Sequence, residues 1–337
     1  MTQYLIRRVL MAIPTLLVIS FVIFAVLDLA PGDPTSDMPL TIEPEVRMAI
    51  RKSLGLDDPF LVKYAKWVRQ FFVYEPIALV EQWTGVEIGG FEARSRVVSW
   101  QTRSPVYDLI MQRLPQTLWV VGLAYLFSVI VAIPVGVLQA YRQYSWFDQV
   151  GTFVSLIGFS VPTFFTEMLA IIIFSVTLRW LPSIYDTTLV VKDWNTFVLQ
   201  VKQMIMPVTV LTLFNASQLS RFMRSTMLDN LGEDYARTAR AKGVKEQRVV
   251  MGHVFRNSLI PVVTLVALGI PGIFTGAIIT EQIFRVNGLG DLLIRAIYAS
   301  DIPMVQSISF IFAVLIVAFN IIADITYGFL DPRIRYG

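Results

Sequence analysis

Glu233-Asp234-Tyr235-Ala236-Arg237-Thr238-Ala239-Arg240-Ala241-Lys242-Gly243 lies between two apolar segments, each long enough to cross a bilayer. Its alanines and arginines favour helix. Glu233 and Asp234 stand where the positive end of a helix dipole would be, and Arg240 and Lys242 where the negative end would be. Gly243 supplies a stop. A second helical stretch, about Glu246 to Ser258, leads through Pro261 into the next apolar run. A basic helix–glycine–helix segment between membrane spans reads as a docking surface for a cytoplasmic partner rather than as a solvated loop. The chain has no phosphate-cradling loop, so a nucleotide-driven engine would have to come from another subunit.

The composition agrees with a membrane setting. Of 337 residues, 55% are apolar and 16% charged, against about 25% charged in a soluble domain. Six runs approach the ~20 apolar residues that a spanning helix needs: Val9–Leu29, Thr117–Ala140, Val150–Leu178, Ile205–Met223, Pro261–Thr280 and Val305–Tyr327. The fourth is interrupted by Asn215, Ser217 and Gln218. The first run is longer than the ~7–15-residue core of a signal peptide and is expected to stay as a span. The fold expected is therefore an all-α integral membrane protein with six transmembrane helices. Residues 1–29 form the first span, 30–116 an extracytoplasmic insertion, and 117–337 a five-helix core whose cytoplasmic segment covers 229–258. Basic residues in short loops mark the inner side. Arg7 and Arg8, Arg142, the Arg221–Arg256 group, and Arg333 with Arg335 all fall inside if both termini are cytoplasmic.

Several chemistries are excluded. There are no cysteines and one histidine, His253, so thiolate metal sites, disulfides and cysteine nucleophiles are ruled out, as is a His-rich metal site. The small net charge of +3, with its basic residues gathered in a few loops, fits membrane orientation and not nucleic-acid binding. No hydrolase or zincin motif is present, and Gly288-Leu289-Gly290-Asp291 reads as a turn. The chain is expected to have no catalytic site of its own.

Polar groups at membrane depth are functional candidates. Glu167 and Asn215 qualify, with Asp324 and Asn320 further along. Gly269-Ile270-Pro271-Gly272-Ile273-Phe274-Thr275-Gly276 combines a kinking proline with Gly272 and Gly276 at small-xxx-small spacing for close helix packing. Pro134 and Pro162 would bend the second and third spans. In the outer segment, Pro44–Gly55 reads as a helix with a proline start and a glycine stop. Asp57-Asp58-Pro59 caps a second one carrying Leu61, Tyr64, Trp67, Val68, Phe71 and Phe72. The pair is expected to form a small cap on the first span, with a grip on an external partner as the other reading.

Together these motifs resemble the permease subunits of bacterial ABC importers of the dipeptide/oligopeptide and nickel type. The run Asp234–Gly243 followed by His253-Val254-Phe255-Arg256-Asn257-Ser258-Leu259-Ile260-Pro261-Val262 is similar to the coupling-helix motif of that family. Arg7-Arg8, Pro31-Gly32-Asp33-Pro34, Arg113-Leu114-Pro115-Gln116-Thr117-Leu118, Gly288-Leu289-Gly290 and Asp331-Pro332-Arg333-Ile334-Arg335-Tyr336 agree with it. One departure is Arg237-Thr238-Ala239, where the general importer motif has Glu-Ala-Ala; this is the form of the peptide branch. A second is the length of the outer segment.

The resemblance implies a type I importer fold in the bacterial cytoplasmic (inner) membrane. It implies a heterodimer with a second homologous permease, two ABC ATPase subunits that bind ATP and magnesium, and an extracytoplasmic substrate-binding protein. No cofactor would sit on this chain. Tyr235, Arg237, Thr238, Ala239, Arg240, Lys242 and Gly243 would couple to an ATPase. The pathway would involve Glu167, Asn215, Gly269, Pro271, Gly272 and Gly276. The cargo would be a di- or oligopeptide, with nickel chelates, opines and oligosaccharides as alternatives in the same family. An ion-coupled secondary transporter is the competing class; it calls for intramembrane charge pairs and inverted repeats, which the sequence does not display.

Overall fold

The computed structural model describes residues 2–29, 43–53, 55–86, 96–275 and 277–330. Pro31–Pro34, Gly276 and Asp331–Tyr336 lie outside them. The described residues are mostly helical and include no strand, apart from one isolated antiparallel bridge between Val98 and Pro105.

The helices in chain order are α1 (Thr2–Asp28), α2 (Pro44–Ser53), α3 (Phe60–Arg69), α4 (Glu75–Thr84), α5 (Val106–Tyr141), α6 (Trp146–Ser160), α7 (Thr163–Thr177), α8 (Trp194–Leu231) and α9 (Asp234–Ala241). They continue with α10, which starts at Glu246–Arg248 and runs through a wide π turn at Val249–Val254 into Phe255–Thr275. Then come α11 (Ile278–Phe284), α12 (Leu289–Tyr298) and α13 (Ile302–Leu330). Five of them are long and apolar enough to cross a membrane, and the bent pair α6–α7 makes a sixth if it crosses as one span.

The borders differ from the sequence expectation for local reasons. The second span begins at Val106, eleven residues before Thr117, so Arg113-Leu114-Pro115 is helical. The fourth is not interrupted by its polar residues. Asn215 Nδ2 donates to the Leu211 carbonyl at 2.9 Å, and Ser217 Oγ donates to the Leu213 carbonyl at 2.6 Å. Such back-bonding satisfies a polar side chain within its own helix. An Asp193–Thr196 capping box starts this helix, and its 38 residues give a length of about 57 Å. The fifth span stops at Thr275, and Thr280 belongs to α11. Pro162 breaks the third span: Val161, held extended before proline, lies between two helices inclined at 101°. Pro134, by contrast, sits inside α5 without ending it.

The chain divides into two units, Met1–Arg8 with Pro115–Asp291 and Ile316–Gly337, and Val9–Leu114 with Leu292–Leu315. In the first, α5 packs closely on α8. A side chain on Gly136 would collide with the Ser220 carbonyl at 2.6 Å and with Met223, and Ala132, Val137, Ala216, Met223 and Met227 fill this contact. Arg8 Nε donates to Asp324 Oδ2 at 2.6 Å within the same unit, which gives the Asp324 carboxylate a neighbouring-helix partner. In the second unit, Trp67 of α3 packs on Phe24 of α1 and Phe310 of α13, with ring centroids 6.1 and 5.5 Å apart. Lys63 pairs with Asp28. Arg96 forks between Glu75 and Asp108, and the Trp100 amide donates to Asp301 at 3.0 Å. α3 thus packs along α1 through Phe60 and Tyr64 as well.

Candidate functional site

The run singled out by the sequence folds as α9 and a left-handed turn. Gly243 has φ +77°. The Val244 amide donates to the Ala239 carbonyl at 3.2 Å and the Gly243 amide to the Arg240 carbonyl at 2.9 Å. These two bonds form a Schellman motif and satisfy carbonyls that the helix end would otherwise leave open. One face of α9 is anchored. Ala236 is fully buried, with Tyr235, Ala239 and Val244 packed against the same core as Val249, Val250 and Val254. The Tyr235 hydroxyl donates to Asn230 Oδ1 at 2.6 Å, tying α9 to the end of α8. Arg240 donates to Glu246 at 2.8 and 3.0 Å and to the Leu231 carbonyl at 3.2 Å. The bond to Glu246 raises the Arg240 pKa and keeps the guanidinium charged.

The seven sequence-predicted coupling residues therefore fall into two sets. Tyr235, Ala239 and Arg240 hold the helix in place. Arg237, Thr238, Lys242 and Gly243 face outward, and the Arg237 side chain is 72% exposed. A short helix fixed on one side between two spans, with a basic free side, can pass a push from a docked partner into α8 and α10.

The pathway candidates are more dispersed. Glu167 on α7 is buried and accepts a hydrogen bond from Thr280 of α11; its Oε2 has no hydrogen-bond partner among the described residues. Gly269 faces Tyr125, and a Cβ there would stand 2.2 Å from the tyrosine oxygen. Tyr125 donates to the Val266 carbonyl at 2.6 Å. Among the described glycines of this stretch the close contact belongs to Gly269, while a Cβ on Gly272 would meet nothing within 4 Å. Pro271 is buried inside the helix.

Two polar constellations escaped the sequence reading. Arg224 of α8 donates to both oxygens of Asp148 on α6, at 2.6 and 2.8 Å; the aspartate side chain is 4% exposed. Glu281 on α11 is fully buried. It accepts the Thr117 hydroxyl at 2.8 Å and the Asp291 amide at 3.0 Å, and Thr117 in turn accepts the Leu289 amide at 2.8 Å. Side chains on Gly288 or Gly290 would strike this carboxylate, at 2.4 and 2.9 Å, so the two glycines make room for it; where the sequence suggested a turn, Leu289–Asp291 already open α12. Burial pushes the Glu281 pKa up to about 7, against the opposing pull of its hydrogen-bond donors. Thr280 and Glu281 are adjacent, so α11 is fastened on one side to α7 and on the other to α5. Only the paired glycines hinted at this in the sequence.

Residues 132–336 match the family described as binding-protein-dependent transport system inner membrane component, and residues 1–121 match its N-terminal membrane component. The oligopeptide transport system permease protein AppB of Bacillus subtilis (strain 168) is 39% identical over 340 residues, covering 100% of both chains. A putative peptide transport system permease protein of Brucella abortus (strain 2308) is 37% identical over 342 residues, also covering 100% of both. The dipeptide transport system permease protein DppB of Escherichia coli (strain K12) is 34% identical over 358 residues, covering 100% of this chain and 99% of the relative.

Proposed function

This chain belongs to the family of binding-protein-dependent transport system inner membrane components, and from that premise we propose that it is one of two paired permease subunits of an ATP-driven peptide importer. The family makes it a multi-pass inner membrane permease component. Peptide is the cargo class supported by the names of its relatives, which are oligopeptide and dipeptide permeases. Two ATPase subunits supply ATP hydrolysis with magnesium, and an extracytoplasmic binding protein delivers the peptide.

The observation that carries this reading is α9, a short basic helix anchored at Ala236 and closed by the Gly243 turn. In the proposed cycle its outward face, Arg237, Thr238 and Lys242, sits in a groove of one ATPase. ATP draws the two ATPases together and carries α9 with them. Tyr235 and Arg240 transmit the displacement to the end of α8 through Asn230 and Leu231, and Arg240 reaches α10 through Glu246. The spans then alternate between outward- and inward-open states, and hydrolysis resets them. Purification from membranes tests this. ATPase subunits should co-elute, and their turnover should rise when peptide-loaded binding protein is added. Isolation of a chain that moves peptide without any ATPase would overturn it.

A further inference from the structure

The coupling scheme leaves polar surface on the spanning helix α8 unused. Asn215, Gln218, Phe222 and Ser225 recur on one face of α8 at helical spacing. Below Asn215 this face opens into a cavity of about 530 Å³. Phe159 and Thr152 of α6 form its opposite wall, and Phe159 stands one turn before the break at Pro162.

Two guanidinium groups line the cavity, and they differ. Arg224 is neutralised by both oxygens of Asp148. Arg221 lies over the Phe159 ring with its guanidinium carbon 5.9 Å from the centroid. It has no anionic partner among the described residues. A guanidinium is too costly to present to hydrocarbon and faces water or a partner group instead. Ring face, amide and hydroxyl around one uncompensated guanidinium suit an amphipathic ligand that carries a single oxyanion.

We propose that this cavity is a way-station for the peptide in transit, with Arg221 receiving its C-terminal carboxylate while Phe159 and Phe222 flank its side chains. The proposal rests on the peptide-importer reading above. A free C-terminal carboxylate is carried by linear peptides whatever their sequence, which fits a permease whose selectivity is exercised elsewhere.

The test uses the complete complex in vesicles of phosphatidylcholine alone, with trialanine and trialanine amide, each loaded to saturation on the binding protein. Uptake is compared for the wild type, Arg221→Gln and Arg221→Lys, all checked for assembly by co-purification. Arg221→Gln should lower uptake of trialanine about tenfold or more and leave the amide unchanged, and Arg221→Lys should recover most of the loss. Equal loss for acid and amide in an assembled complex would overturn the carboxylate assignment and leave the importer reading standing. An Arg221→Gln defect seen only when phosphatidylglycerol is added would assign the cavity to a lipid phosphodiester and overturn it too. Failure of the wild type to take up either peptide would remove the importer reading and this proposal together.

Discussion

At Gly243 the backbone itself carries the proposed coupling role. Its φ of +77° lies in the left-handed region that costs other residues about 1–2 kcal/mol, and a Cβ there would meet nothing within 4 Å. Gly243→Ala should therefore cost only about 1 kcal/mol of local stability. Gly243→Pro should cost about 3 kcal/mol or more, because it fixes φ near −65° and deletes the amide that bonds the Arg240 carbonyl. Retention of ATPase subunits during purification should fall in that order, with membrane insertion unaffected; full retention in the proline variant would remove the coupling role of the turn. Glu281 gives a prediction in pH. Its carboxyl rises from an ordinary 4.5 to about 7, so between those values the folded chain binds a proton that the unfolded chain does not. Stability should be highest at the acid end and fall as pH rises through that window, by roughly 3 kcal/mol in total. Thermal denaturation of the purified complex from pH 5 to 8 should show this slope, and Glu281→Gln should flatten it. An unchanged slope in the variant would refute the assignment. Gly243 was legible in sequence because its helix, charges and stop are contiguous. Glu281 was not, because its partners Thr117 and Asp291 lie 164 and 10 residues away.

At the scale of elements, periodicity and caps located most helices, and tertiary contacts decided their ends. α2 begins at Pro44, as the proline signal requires; α3 directly follows Pro59, but no side chain caps it, and Asp57 and Asp58 pair instead with Arg51 and Lys66. α8 runs far beyond the apolar core read for it, since a helix can continue past the hydrocarbon edge when polar side chains bond their own backbone or a neighbour. The Arg224–Asp148 pair, 76 residues apart, could not be read from composition, and it places a charge pair between α6 and α8 that the sequence did not disclose. Within α9, burial separates two roles that sequence alone merged. Arg237→Glu alters a side chain that is 72% exposed, so folding stability should change by no more than about 0.5 kcal/mol while ATPase binding weakens. Tyr235→Ala removes a packed ring and the bond to Asn230, and should cost about 3 kcal/mol as well as uncoupling hydrolysis from uptake. Proteolysis of the α8–α10 connection would separate them: Tyr235→Ala accelerates cleavage and Arg237→Glu does not. Equal acceleration in both would mean that α9 has no anchored face.

For the whole chain, function turns on the parity of its membrane crossings. The residues that set orientation are local: Arg7 and Arg8 before the first span, and the basic cluster from Arg221 to Arg256. The count of crossings depends on the pair α6–α7, bent by 101° at Pro162. If the pair crosses once, six crossings return the C-terminus to the side of the N-terminus, and α9 faces the ATPases in the cytoplasm. If it turns back as a re-entrant hairpin, the connection between α7 and α8 stays inside and α9 is carried outside, away from any ATP. Positive residues favour the first arrangement, because they are retained on the inner side. The absence of cysteine allows a clean measurement. Val190→Cys, at a site 62% exposed between α7 and α8, should react with a membrane-impermeant maleimide in intact cells. Arg237→Cys should react only after the membrane is opened. The reverse pattern would place α9 outside and eliminate the coupling scheme, whereas the expected one requires the broken pair to act as a single span despite its bend.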